Sequence, residues 1–428
     1  MKRHAREISV TGPVDARVKA PSSKSVTQRA LIIASLARGR SRLLDPLDST
    51  DTETLVKALG DLGIHSRRGP EGWDVEGQGG LLPSPGAILD AGDAGTAVRF
   101  LTAMVTLGRG RFVVDGSERM RQRPIRPLVE TLTALGIHAR CLGEAGGCPP
   151  VEVLADGLPG GTVRLQGAKS SQYLSGLLMA APRAAAPLCL EWSGSPVSLP
   201  YVRLTVDVMT AFGVTPVEDP PLVFRIDAPR EYTAREFRIE GDYSSAAYFF
   251  AAAAITGGQV RVENLRSDSQ QGDRGMLSVL EKMGCRVSPE RDGWTVAGGG
   301  EIQGFDVDAS EMPDAAQTLA VVALFAKGPS RLRGLGTLRV KETDRIRATA
   351  QEIRRLGAEA EEGADFLEIR PGTLRGAEIE TYGDHRMAMS FSLAGLRVPG
   401  IRILDPQCVA KSFPDFWDEL GRLTPPHR

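Results

Sequence analysis

The sequence predicts an α/β protein of six repeated βαβαββ units, three to a domain. Three observations point to it. A short alternating run leads through a turn into an apolar helix six times. The helices open at Ser25, Gly95, Ser170, Tyr243, Asp314 and Asp384, in steps of 70, 75, 73, 71 and 70 residues. A second helix ends on a glycine in each of the first five units, at Gly63, Gly136, Gly213, Gly284 and Gly357, in steps of 73, 77, 71 and 73. A hairpin-like pair of runs follows most of these glycines, as in IHSRRGPEGWDVEG.

Each element of the unit has its own signal. The leading runs AILDAGDAG, TVRLQGAKSS, FRIEGDYSS, FDVDASEMPD and EIETYGDHR alternate apolar and polar residues, which places one strand face on a core. The helices behind them include SVTQRALIIASLA, GTAVRFLTAMVTLG and YSSAAYFFAAAAI. They are apolar on more than one side, which suits burial between sheets. Runs such as GRFVVDG and GQVRVENL supply the next strand, and a helical crossover makes it parallel to the first. The closing glycines suit left-handed helix C-caps, where a Cβ would clash. The last two strands can then pair antiparallel. A chain of 428 residues outgrows one core, so six units divide into two domains, with a boundary expected near Pro229 to Arg238. The segment before Pro21 holds one strand's worth of chain, and the period assigns it to neither half.

Composition narrows the function classes. The chain is 42% hydrophobic and 25% charged with a formal net charge of −1, so nothing draws it as a whole toward nucleic acid or a membrane surface. Five scattered cysteines form no CxxC pair and no metal-ligand spacing with the five histidines, as expected of reduced thiols in a cytoplasmic protein. MKRHAREISV carries charge without an apolar stretch behind it, so no signal peptide is expected. The longest apolar run, Ala246 to Ile255, is far short of the roughly 18 residues a membrane span needs. There is no GxxxxGK[ST], no strand-linked GxGxxG and no GxSxG, which weighs against triphosphate hydrolysis, dinucleotide redox chemistry and serine hydrolysis.

The helix starts carry the candidate chemistry. Unpaired N–H groups and the partial positive charge of a helix N-terminus suit an anion. Here they are dressed with hydroxyls and cations: Lys24, Ser25 and Arg29 at the first, Gly95, Thr96 and Arg99 at the second, Ser170, Ser171 and Gln172 at the third. Asp314 opens the fifth, and Asp384, His385 and Arg386 the sixth. Ser, Asp and Gly are also ordinary N-caps, but a cap alone does not call for an adjacent Lys or Arg. Loop cations Arg123, Lys341, Arg345 and Lys411 extend the set. Together with Lys24, Arg29 and Arg386 they suit a substrate bearing several phosphates and carboxylates. Asp314 and Glu342 are the proton-handling candidates; the plain alternative is that they pair with the same arginines.

On these residues the chain resembles the EPSP synthase family, the 3-phosphoshikimate 1-carboxyvinyltransferases, essentially from end to end. The motifs are PSSKSVTQRAL from Pro21, GDAGTAVR from Gly92, QRPIRPL from Gln122 and SSQYLSGLLM from Ser170. EMPDAAQT from Glu311, RVKETDRI from Arg339, YGDHRMAM from Tyr382 and AKSFPDF from Ala410 complete them. The resemblance implies the two-domain enolpyruvyl transferase fold, an inverse α/β barrel. Its lobes would be residues 22–237 and residues 1–21 plus 238–428, hinged at both crossovers and closing over a cleft. It implies transfer of the enolpyruvyl group of phosphoenolpyruvate to the 5-hydroxyl of shikimate 3-phosphate, without metal or organic cofactor, by a monomer.

Position by position, the resemblance implies shikimate 3-phosphate contacts from Lys24, Ser25, Arg29, Ser170, Ser171, Gln172, Ser198, Tyr201, Asp314 and Lys341. It implies phosphoenolpyruvate contacts from Lys24, Gly95, Arg123, Gln172, Arg345, Arg386 and Lys411. Asp314 would take the 5-hydroxyl proton; Glu342 and Lys24 would handle the proton at the phosphoenolpyruvate methylene. A glycine at position 95 leaves room for glyphosate in that pocket, so inhibition is expected. Two positions depart from the family pattern: Asp93, an acid beside an anion site with Arg99 as the compensating cation, and Thr337, where many members carry Asn. The related transferase acting on UDP-N-acetylglucosamine typically carries a reactive Cys near the stretch held here by DGSERMRQRP, which has none. A catalytically dead paralogue serving as a binding protein is disfavoured by intact Lys24, Asp314, Glu342 and Arg345.

Overall fold

Alternation becomes sheet, and the glycine landmarks become helix ends. The computed structural model describes residues 4–144, 146–166, 170–194 and 197–423; residues 167–169 of the run TVRLQGAKSS therefore lie outside the described residues. The second repeat shows the plan. Strand Gly86–Asp90 runs parallel to Arg109–Asp115 with Ile88 opposite Val113, and helix Gly95–Met104 makes the crossover. Val151–Asp156 returns antiparallel with Val153 opposite Phe112, and His138–Cys141 is its hairpin partner. Leu89, Phe112, Val114, Val151 and Val153 are fully buried, while Ile88 and Leu154 face outward, as a side-chain period of two requires. The described strands form six such small sheets.

By its internal contacts the chain divides into two compact units, Ser23–Ile239 and Met1–Ser22 with Glu240–Arg428. Each has its own apolar core. In the first, helices Lys24–Leu36, Gly95–Met104 and Gln172–Ala180 lie at the centre. In the second, Tyr243–Thr256, Ala316–Ala323 and His385–Gly395 pack on one another, and every residue of all three is buried. Their all-round apolar sequence is what that position demands. The second helices are amphipathic instead: Thr50–Asp61 buries Asp51, Thr52, Leu55, Ala58 and Leu59, a single stripe at helical spacing. Gly63, Gly136, Gly213, Gly284 and Gly357 end these helices with φ of 82°, 86°, 90°, 103° and 101°, the left-handed conformation expected of them.

The structure differs from the sequence reading in three places. Two strands, Ala5–Glu7 and Asp15–Lys19, precede Pro21 where the period allowed one. Ala5–Glu7 completes the last sheet, pairing antiparallel with Arg402–Leu404. The strands that lead the first and fourth helices are also exchanged. Asp15–Lys19 pairs with Gln259–Glu263 of the fourth repeat, and Glu236–Arg238 pairs with Arg38–Leu44 of the first. The chain crosses from unit to unit only after each of these strands, so each pairs within the unit that the chain then leaves. Finally, the third and fifth helices begin at Gln172 and Ala316, two residues beyond the expected openings. Asp314 therefore sits in the preceding turn, and its carboxylate is turned to side chains rather than to capping.

Candidate active site

In the unit Ser23–Ile239 the site residues gather at the starts of the central helices. Ser23 caps Lys24–Leu36 by accepting from the Val26 amide, which leaves Lys24 and Ser25 in the first turn. Lys24 Nζ lies 3.1 Å from Asp51 Oδ2, on the first turn of the neighbouring helix. One turn further, Arg29 is 1% exposed. It donates to Thr205 Oγ1 at 2.7 Å, to the carbonyls of Ser25 at 2.9 Å and Tyr201 at 3.0 Å, and to Ser175 Oγ at 3.5 Å. The Phe100 ring lies 5.2 Å from the guanidinium carbon. Burial weakens the Arg29 cation, lowering its pKa to about 10.

The other residues of this unit join the same helices. Gly95 opens Gly95–Met104, and a methyl built on it would meet the Arg123 guanidinium at 2.6–2.8 Å. Gln172 donates to Thr96 Oγ1 at 3.0 Å, and its amide donates to Ser170 Oγ at 3.2 Å. Ser171 is buried at the start of Gln172–Ala180, the helix that also carries Ser175 beneath Arg29. Ser198 holds φ 51° before helix Leu199–Ala211, and its carbonyl accepts from the Tyr201 amide at 3.1 Å. Asp93 takes the Ser117 hydroxyl, while Arg99 turns to the carbonyls of Gly95 at 2.8 Å and Pro124 at 2.9 Å. The acid at position 93 is thus met by a hydroxyl, and Arg99, the cation expected to compensate it, donates to carbonyls.

In the unit Met1–Ser22 with Glu240–Arg428 the site is an ion-pair lattice. Arg345 opens helix Arg345–Leu356 and is 2% exposed. It binds Asp314 at 2.9 Å, Glu342 at 2.9 Å and Asp384 at 2.7 Å. Burial and the charge of Arg386 oppose its charge, but Asp384, Glu342 and Asp314 outweigh them and raise the pKa above the ordinary arginine value. Arg386 Nη2 holds the second Asp314 oxygen at 3.0 Å, and its Nη1 lies 3.4 Å from the Tyr248 hydroxyl. Lys411 Nζ approaches Glu342 at 3.9 Å. Lys341, half-buried, ends the 3-10 turn Gly336–Val340 and directly precedes Glu342. The pairing of Asp314 and Glu342 with arginine is therefore realised, and it fixes both acids. Among the described residues, three carboxylates engage four of the five N–H groups of Arg345, and the fifth is on Nη1.

Two acids were not read from the sequence as partners of the cations, Asp384 being noted there only as a helix opening. Asp384 is the N-cap of His385–Gly395, accepts from the Arg386 amide at 2.9 Å, and is fully buried on Arg345. Its place at a helix start next to His-Arg was the only signal. Asp51 lies inside a Ser49–Thr52 capping box, where an acid reads as a helix-dipole partner. Burial pushes the thiols of Cys141 and Cys285 up to about 11, and burial with the charges of Asp405 and Asp384 pushes that of Cys408 to about 12, which keeps all three protonated at neutral pH. No helix among the described residues is long and apolar enough to cross a membrane.

Known proteins share this frame from end to end. The family model for EPSP synthase (3-phosphoshikimate 1-carboxyvinyltransferase) matches residues 8–420. The 3-phosphoshikimate 1-carboxyvinyltransferase of Nostoc punctiforme is 45% identical over 96% of this chain and 97% of its own. That of Methanoculleus marisnigri is 43% identical over 96% and 98%. The solved structure of EPSP synthase from Acinetobacter baumannii superposes with a TM-score of 0.82 at 27% identity, covering 98% of both chains. With the repeats, the helix-start cations and the Asp314–Arg345–Glu342 lattice in place, the chain belongs to the EPSP synthase (3-phosphoshikimate 1-carboxyvinyltransferase) family.

Proposed function

We propose that the chain transfers the enolpyruvyl group of phosphoenolpyruvate to the 5-hydroxyl of shikimate 3-phosphate and releases phosphate. The observation that carries this reading is the lattice of Asp314 and Glu342 on Arg345 in a member of this family. Glu342 and Lys24 deliver a proton to the phosphoenolpyruvate methylene, which makes C2 electrophilic. Asp314 removes the 5-hydroxyl proton, and the oxygen adds at C2. The tetrahedral ketal phosphate then loses the methyl proton to the same pair and expels phosphate, restoring the enol ether. Each acid or base step contributes ~10²–10⁴-fold.

Binding falls to the remaining residues. Lys24, Ser25, Arg29, Ser170, Ser171, Gln172, Ser198, Tyr201, Asp314 and Lys341 hold shikimate 3-phosphate. Lys24, Gly95, Arg123, Gln172, Arg345, Arg386 and Lys411 hold phosphoenolpyruvate. For Arg345 that contact is one N–H, so its larger task is to hold the two acids. Residues 22–237 and residues 1–21 plus 238–428 form the two lobes, hinged at the crossovers. The protein acts as a cytoplasmic monomer and needs no cofactor for these steps. Phosphate release with phosphoenolpyruvate and shikimate 3-phosphate tests the reading. Release with UDP-N-acetylglucosamine in place of shikimate 3-phosphate would replace it.

A further inference from the structure

Behind the Asp314 turn lies an acid that none of the assigned roles uses. Asp273 belongs to the 3-10 turn Gly272–Gly275 and is 3% exposed. Its Oδ1 accepts the Ala315 amide at 3.1 Å, so it grips the peptide that follows Asp314. Its Oδ2 accepts the hydroxyl of Ser244, from the first turn of Tyr243–Thr256. The other charges that face it are Asp314, Arg386 and Asp242. Asp314 in turn faces Arg345 and Arg386, with Tyr248 on Arg386 and with Glu342 and Asp384 on Arg345.

We propose that Asp273 is a positioning residue for Asp314, anchoring the Asp314–Ala315 peptide and supplying a buried negative charge that opposes Arg345 and Arg386 and keeps Asp314 basic. The inference rests on the reading of Asp314 as the base that takes the hydroxyl proton. Two guanidinium groups on one carboxylate stabilise its anion and weaken it as a base. A second acid one peptide away acts in the opposite sense. That charge is itself gated by pH: burial first, and then the charge of Asp314, lift the Asp273 pKa to about 7.

Asp273→Asn separates anchoring from charge, since the amide oxygen still accepts from Ala315 while the charge is gone. The expected result is a kcat lowered about three- to tenfold, with KM for both substrates nearly unchanged. The acid limb of the kcat profile should move to lower pH, because a carboxylate that loses an anionic neighbour is a stronger acid. Ser244→Ala is the second probe. It removes a donor to the Asp273 anion, so turnover should fall at neutral pH and recover at alkaline pH, where Asp273 ionises. If Asp314→Ala is inactive but Asp273→Asn keeps both the wild-type kcat and the wild-type acid limb, the role of Asp273 is overturned while the reading of Asp314 stands. Near-wild-type turnover by Asp314→Ala would remove that reading and Asp273 with it. Should Asp273→Asn fail to fold, Ser244→Ala decides: a loss that is equal at every pH, or none, overturns the proposal.

Discussion

The two units handle buried charge in opposite ways. In Ser23–Ile239, Arg29 is sealed among hydroxyls, carbonyls and an aromatic ring, with no carboxylate bound to it among the described residues. In the other unit, Arg345 is equally buried but carries three carboxylates, and Arg386 and Lys411 brace two of them. A desolvated cation without a counter-ion leaves a positive field that an anionic ligand can neutralise. A closed lattice is already neutralised and serves to hold acids in defined places. The first unit thus holds a buried arginine without a bound carboxylate among the described residues, and the second holds one that is matched by three.

The largest effect that could break this contrast is in the lattice. Asp314→Ala should lower phosphate release about 10³-fold while the protein keeps its cooperative melt. Near-wild-type turnover would take Asp314 out of the chemistry. Arg345→Met should cost about 3–5 kcal/mol of stability, read by denaturant unfolding, because it strands three acids of which Asp384 is fully buried. Arg29→Met sharpens the comparison. It should weaken shikimate 3-phosphate binding about a hundredfold by calorimetry, through loss of charged hydrogen bonds, yet destabilise the fold far less than Arg345→Met. Equal destabilisation by the two would erase the distinction.

Gly95→Ala comes next. Its methyl would lie within 2.6–2.8 Å of the Arg123 guanidinium, which must move. The KM for phosphoenolpyruvate should rise about tenfold, equivalent to roughly 1.4 kcal/mol, and glyphosate inhibition should weaken with it. Unchanged inhibition would sink the steric account. The smallest effect is on stability against pH. Asp273 has a folded pKa of about 7, above the ordinary aspartate value of 3.8, so the folded state binds the extra proton between those limits. Stability from this group is therefore greatest on the acid side and falls as pH rises through that window. Asp273→Asn should flatten the slope in unfolding experiments at stepped pH; a slope as steep as wild type would contradict it.

Much of the fold was legible because its signals are local. All-round apolar helices, alternating strands and a glycine at each second-helix end are each decided within one turn or hairpin, and five of five glycines took the left-handed conformation. The exchange of strands Asp15–Lys19 and Glu236–Arg238 was not legible in the period, which assigned the first to neither half and the second to the fourth repeat, because a strand's own alternation does not name the sheet it joins; the resemblance alone placed residues 1–21 with the second half. The cations were visible as residues at helix starts. Their pairings were not: Asp51 and Asp384 lie 27 and 39 positions from the cations they hold, Asp273 lies 42 from the Ala315 amide it accepts, and each reads locally as an ordinary cap or turn acid.

The amino-acid order by itself determined the repeat, the helix ends, the family and the residue types available for chemistry, since propensity, period and motif are properties of short segments. Only the tertiary structure decided which carboxylate meets which guanidinium. Burial removes water's screening, so a few ångströms of separation make the same Arg side chain a weakened cation on hydroxyls and carbonyls at position 29 and a clamp for three acids at position 345.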